Sequence, residues 1–224
     1  MLKYSTILYI SLIFLTASCD NRSLEELVRT AESYEAKSDF EMANIVYDET
    51  IKAYPDYTGS YINKGANLAQ LKEYKKAIET YKNGLKTNPQ EALFYLNIGF
   101  NFNRLEKRDS AIYYFTKGLH YAKQCDPSKV GLLTMTTNQE QNKVEASQIY
   151  YERGLDYYEQ EEYYLCIEDM KKCIDCGYNL AQSHYMIGAC KLSTGNDDEG
   201  CEQLHIALEY GDEQAQQQID LHCK

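Results

Sequence analysis

Small and large apolar residues recur along this chain at a fixed interval, with polar positions between them. Alanine stands at 43, 77 and 111, and an aromatic follows each four residues later as Tyr47, Tyr81 and Phe115. Both sets are spaced by 34 residues, as are Gly65 and Gly99, Gly84 and Gly118, Tyr61 and Tyr95, Asn63 and Asn97, and Pro55 and Pro89. Such a period marks stacked repeats, in which no unit buries its apolar face alone and each neighbour completes the core of the last. The register then slips once. Gly154 and Gly188 are again 34 apart, whereas Gly99 to Gly154 spans 55. An insertion of 21 residues falls at 126–146, where Asp126, Pro127, Gly131 and the polar run 136–142 lack helical periodicity.

Counted from Leu24, the first unit places Leu27, Ala31, Tyr34, Ala43, Tyr47, Thr50 and Pro55 at positions 4, 8, 11, 20, 24, 27 and 32. The second, from Thr58, has Tyr61, Gly65, Leu68, Ala77, Tyr81, Gly84 and Pro89 at the same places. The third, from Ala92, has Tyr95, Gly99, Phe102, Ala111, Phe115 and Gly118, with Lys123 in place of proline. The fourth, from Ser147, reads Tyr150, Gly154, Tyr157, Cys166, Met170 and Cys173; the fifth, from Ala181, reads His184, Gly188, Gly200, Leu204 and Ala207. Small residues at 8, 20 and 27 let two antiparallel helices approach, and large residues at 4, 11 and 24 fill the wedges beside them. Proline then stops the second helix. Ser23 with Glu26 is a capping box that starts the first.

This pattern resembles the tetratricopeptide repeat, a helix-turn-helix unit. The resemblance implies an all-α fold, a right-handed solenoid of about five units closed by a C-terminal capping helix. Units one to three occupy 24–125, the insertion 126–146, units four and five 147–214 and the cap 215–224, its helix expected at 213–222. Ala207 to Gln216 resembles the closing segment of a Sel1-like repeat. In the family, the first helix of each unit lines a concave groove through positions 2, 5, 6, 9, 12 and 13. Carried onto this chain, the resemblance implies a partner-binding groove at Asn63, Gln70, Asn97, Phe100, Asn103, Arg104, Tyr151 and Tyr158. A carboxylate clamp of the chaperone type would need Lys or Arg at positions 2 and 6 of unit three, where Leu93 and Asn97 stand.

The first eighteen residues have another character. Lys3, an apolar run from Ile7 to Leu15 and the small residues Ala17 and Ser18 form the layout of a secretory signal peptide, too short in its apolar part to span a bilayer. Leu15-Thr16-Ala17-Ser18-Cys19 resembles a bacterial lipobox, with leucine one place further from the cysteine than usual. That resemblance implies cleavage before Cys19, a lipid on its thiol, a linker at 19–23 and a place in the bacterial envelope, with the outer membrane favoured over the inner.

Composition narrows the function classes. Asp and Glu number 34 against 23 Lys and Arg, a formal charge of -11 that loss of Lys3 would carry to -12. Without a basic face, nucleic acid is excluded as a partner. No phosphate-cradling glycine motif, nucleophile elbow or HExxH is present, so neither a catalytic role nor a cofactor is expected. Many of the 22 tyrosines fall at packing positions. Cys19 aside, the cysteines are Cys125, Cys166, Cys173, Cys176, Cys190, Cys201 and Cys223. Cys166 and Cys173 occupy alanine sites as small hydrophobes. The sequence leaves the pairing of these cysteines open; of the reactive readings, a disulfide between Cys176 and Cys190 or between Cys201 and Cys223, either of which would staple the last units, stands ahead of a metal site. Zinc held by Cys173, Cys176, Cys190 and His184 is the weaker reading, because no second close pair follows. The functional expectation is an interaction scaffold holding a peptide or protein segment, with a glycan-binding lipoprotein and a cysteine-based redox or metal-handling protein as alternatives.

Overall fold

The computed structural model describes residues 22–125 and 144–223. The signal segment, Cys19 and most of the insertion lie outside the described residues. Eleven helices account for the described chain, and no strand occurs among the described residues. They are α1 (Leu24–Glu35), α2 (Phe40–Ala53), α3 (Thr58–Gln70), α4 (Tyr74–Thr87), α5 (Ala92–Arg104), α6 (Arg108–Leu119), α7 (Ala146–Glu159), α8 (Tyr163–Asp175), α9 (Leu180–Ser193), α10 (Asp197–Glu209) and α11 (Gln214–His222). Each helix packs mainly on the one before and the one after it, the contact pattern of a solenoid. The odd-numbered helices α1 to α9 are the first helices of the five units.

Backbone chemistry enforces the hairpins. Within each unit the chain turns through one left-handed residue: Ser38, Lys72, Glu106, Glu161 and Gly195, at φ of 59, 60, 58, 62 and 77°. The amide after it closes a Schellman bond onto the first helix: Asp39 to Tyr34, Glu73 to Leu68, Lys107 to Phe102, Glu162 to Tyr157 and Asn196 to Lys191, all at 2.8–2.9 Å. The helix that follows is thereby reversed at the same angle five times. At the start of the solenoid, Ser23 Oγ accepts from the Glu26 amide while the Glu26 carboxylate accepts from the Ser23 amide, the reciprocal capping expected there.

The joints between units are of two kinds. After α2 and α4 the chain extends at Tyr54 and Asn88, φ -134 and -131°, as the residue before Pro55 and Pro89 must. After α8 and α10 it turns instead through Gly177 and Gly211, at φ 66 and 95°, with Schellman bonds from Tyr178 to Cys173 and Asp212 to Ala207. The second half of the molecule is therefore joined by glycine where the first is joined by proline.

The insertion leaves the stacking intact because its two ends meet. The Lys123 amide donates to the Val144 carbonyl and the Ala146 amide to the Lys123 carbonyl, both at 2.9 Å, and the Lys123 ammonium pairs with Glu145 at 3.1 Å. Consequently α6 packs directly on α7, and one apolar cluster runs from Leu96 and Phe115 through Val144 to Ile149. Arg153 ties the same junction from the other side. It donates to both Asp169 oxygens at 2.8 and 2.7 Å and to Thr116 Oγ1 at 2.9 Å, linking α6, α7 and α8.

Inside each unit, bare backbone meets a large side chain. Gly65, Gly99, Gly154 and Gly188 face Tyr81, Phe115, Met170 and Leu204, and an added Cβ at any of them would come within 3.0 Å of that partner. Ala43, Ala77, Ala111 and Cys166, at the central small site, are completely buried. The cysteines correct one expectation. Cys176 bonds to Cys125 rather than to Cys190, tying α8 back to the segment after α6, while Cys201 and Cys223 do pair and pin α11 to α10. Cys190 instead lies buried on α9 as a free thiol in the cluster with Cys166 and Met170.

Candidate binding groove

Two of the four junctions between successive first helices carry a side-chain rung absent from the sequence expectations; units two and three lack it, and units four and five place Tyr158 and Cys190 at the same positions with no hydrogen bond between them among the described residues. Position 12 of one unit meets position 10 of the next. Glu35 accepts from Asn67 Nδ2 at 2.7 Å between units one and two, and Asn103 Nδ2 donates to Asp156 at 3.0 Å between units three and four. Between units two and three the rung is missing. Asn101 holds position 10 at 4% exposure, but position 12 of unit two is Ala69, which has no polar group to offer. Asn101 Nδ2 donates to the Asn97 carbonyl at 2.7 Å, which fixes the amide orientation and leaves Oδ1 buried with no partner among the described residues. The signal was legible: Asn67 and Asn101 are 34 apart.

A cavity of about 360 Å³ opens at this missing rung. Its wall brings together Gln70, Phe100 and Arg104, three of the residues expected in the groove, with Ala69, Lys72 and Asn101. Phe100 packs edge-on against Phe115 at 5.8 Å between centroids, so its ring is held in place. Arg104 is the exceptional charge. The other four arginines each pair with a carboxylate, Arg22 with Glu49, Arg29 with Glu25, Arg108 with Glu159 and Arg153 with Asp169; Arg104 pairs with none among the described residues.

The remaining expected groove residues are placed differently. Asn63 Nδ2 donates to Tyr47 Oη at 3.0 Å and Asn103 Nδ2 to Asp156, so both amides serve the solenoid instead of standing free for a partner. Asn97 is half-buried on α5 and its carbonyl holds Asn101. Tyr151 sits edge-on to Tyr178, and Tyr158 to Tyr163, at 5.9 and 5.8 Å; both lean on the cluster around Cys166 and Ile187.

Unit four makes the far end of the groove acidic. Burial, and then the neighbouring Asp156, push the Glu152 carboxyl up to about 7. Burial raises Asp156 to about 6 against the opposing hydrogen bond from Asn103 and the charge of Arg108. Both exceed the ordinary carboxylate range because their charged forms are poorly solvated. The groove is thus cationic at units two and three and proton-holding at unit four.

The cysteine chemistry considered from sequence is not assembled. Cys176 is in a disulfide, His184 stacks on Tyr210 and bonds Gln203 at 2.8 Å, and no three metal-ligating side chains gather among the described residues. Cys166, Cys173 and Cys190 are buried thiols, and burial pushes Cys173 up to about 12. A thiol held protonated in this way is inert as a nucleophile.

Residues 27–57 match the family model of the tetratricopeptide repeat. No curated protein matches the chain. Among solved structures, the MamA protein is 20% identical and superposes with a TM-score of 0.67, covering 86% of this chain and 94% of that one. YrrB, described as a TPR protein with an unusual peptide-binding site, is 13% identical with a TM-score of 0.64, covering 86% and 89%. PilW, described as a widely conserved type IV pilus biogenesis factor, is 17% identical with a TM-score of 0.58, covering 84% and 78%. The fold is therefore that of a tetratricopeptide-repeat solenoid.

Proposed function

With that solenoid as the premise, we propose that the protein is a non-catalytic interaction scaffold, tethered to a bacterial envelope membrane through a lipid on Cys19, which holds a segment of a protein partner in its groove. The observation that carries the reading is the cavity at the missing rung. A fixed aromatic, an arginine and a buried acceptor, the last two without a partner among the described residues, stand together on the face where a tetratricopeptide groove is expected. Asn101 Oδ1 is one of several buried polar atoms without a partner among the described residues, and it is the one that coincides with a cavity, a fixed aromatic and a guanidinium, the combination that suits a partner from another molecule. YrrB, described with a peptide-binding site, and PilW, described as a pilus biogenesis factor, support capture of a peptide segment within an envelope assembly. The tether rests on the sequence of residues 1–19 alone.

A photo-crosslinking amino acid placed at Gln70 or Tyr151 in intact cells tests the groove, with Tyr164, 73% exposed on α8, as the comparison position. Adducts of one partner at the groove positions and not at Tyr164 are expected. Adducts at neither groove position would remove the reading. Metabolic labelling with an alkyne palmitate tests the tether separately: label is expected on the wild-type protein and lost in Cys19→Ser.

A further inference from the structure

We infer that the cavity at the missing rung is a subsite for an internal aspartate or glutamate of the bound segment, read together with that residue's own backbone amide. The inference deepens the groove reading and rests on it. Two independent needs define the occupant. Asn101 Oδ1 is a buried acceptor, 4% exposed as a residue and held in orientation by its Nδ2 bond to Asn97, so an occupant that reaches it satisfies it by bringing a hydrogen-bond donor such as an amide N–H. Arg104 and Lys72 bring positive charge to the same wall and neither has a carboxylate partner among the described residues, so what enters must also bring an anion. Chloride or sulfate lacks the donor, and a basic side chain lacks the anion. An acidic amino-acid residue within a peptide carries both groups a few bonds apart.

The guanidinium fork suits a carboxylate, with which it forms two parallel hydrogen bonds. Gln70, with no hydrogen bond among the described residues, stands beside it as a further donor, while Phe100 and Ala69 supply the apolar floor for the side-chain methylenes. Comparison within the chain sharpens the assignment. Glu35 occupies position 12 of unit one and fills the rung to Asn67 with an acidic side chain. At the next unit Ala69 vacates that place, and because the open atom of Asn101 is the acceptor Oδ1, the partner's backbone amide enters there while its carboxylate meets Arg104. An internal residue fits better than a C-terminus because α1 and α7 continue the line of first helices on either side of α3 and α5.

The test is a positional-scanning library of C-terminally amidated hexapeptides, each with one fixed and five randomised residues, panned on the full-length protein and on Arg104→Ala, Arg104→Glu and Asn101→Leu. Thermal melts confirm folding of each variant. Wild type is expected to enrich libraries with fixed Asp or Glu at least fivefold over those with fixed Lys. Arg104→Ala should abolish that preference, Arg104→Glu should invert it toward Lys and Arg, and Asn101→Leu should weaken capture of every sequence. Peptide enrichment without an acidic preference, or a preference unmoved by Arg104→Glu, overturns the subsite while the groove reading stands. Enrichment restricted to a matched library with free C-termini overturns the choice of an internal residue. No enrichment by the wild type overturns both.

Discussion

The ring of Tyr81 on α4 lies against the bare backbone of Gly65 on α3, so close that a Cβ on the glycine would fall within 3.0 Å of three ring carbons. Tyr81 is 2% exposed and cannot swing aside without opening the core. Gly65→Ala is expected to lower stability by about 2 kcal/mol, because overpacking outweighs the better helix propensity of alanine. Urea unfolding checks this, and adding Tyr81→Leu should restore part of the loss. Strict additivity of the two substitutions would mean that the ring and the glycine do not meet in this way.

Four of the five hairpin turns place a side chain in the left-handed region. Ser38→Gly and Glu161→Gly should each stabilise the protein by about 1 kcal/mol, and Gly195→Ala should destabilise it by a similar amount. Chemical denaturation of the three variants reads the signs directly. A loss on Glu161→Gly would show that its side chain contributes more than the strain it causes.

Cys125 and Cys176 are 51 residues apart and Cys201 and Cys223 are 22 apart, so each bridge restrains a long stretch of the unfolded chain. Replacing both members by serine should cost roughly 4 kcal/mol for the first and roughly 3 for the second. Non-reducing peptide mapping should return these two pairs, with Cys166, Cys173 and Cys190 alkylated only after unfolding. A Cys176–Cys190 peptide would contradict the pairing.

Glu152 holds its proton to about 7 and Asp156 to about 6, above the values they take once unfolded. The native state therefore binds more protons than the unfolded chain from about pH 4 to pH 7, and stability contributed by these groups is present below that window and lost as the pH rises through it. Glu152→Gln should flatten this decline and stabilise the protein at pH 8 by about 1 kcal/mol, a figure reduced for the solvent that still reaches the half-buried side chain. Melting curves at pH 5 and pH 8 decide it: equal gains at both would contradict the assignment.

Helix pairing was legible in the sequence because packing geometry constrains residue size at fixed intervals. A glycine opposite Tyr81 or Phe115 leaves the same mark in each unit, so subtraction alone reveals the period. The slip at Gly154 located the insertion for the same reason. The disulfide of Cys176 was not legible, since Cys125 becomes its neighbour only when the ends of the insertion meet at Lys123 and Val144. The ladder of Glu35, Asn67, Asn103 and Asp156 was half-legible. Its position-10 residues repeat at the unit spacing, but which amides are used internally and which are left over depends on a single neighbour, Ala69, one unit away.

The affinity of the crosslinked partner for groove variants tests the central claim most directly. Phe100→Ala combined with Arg104→Ala should weaken binding by at least 2 kcal/mol in isothermal titration, as loss of a central anchor and an unpaired charge does. Met42→Ala combined with Tyr164→Ala, two side chains exposed on the second helices α2 and α8, should leave it unchanged. Full affinity in the first pair, or loss in the second pair alone, would contradict a scaffold that works through its groove.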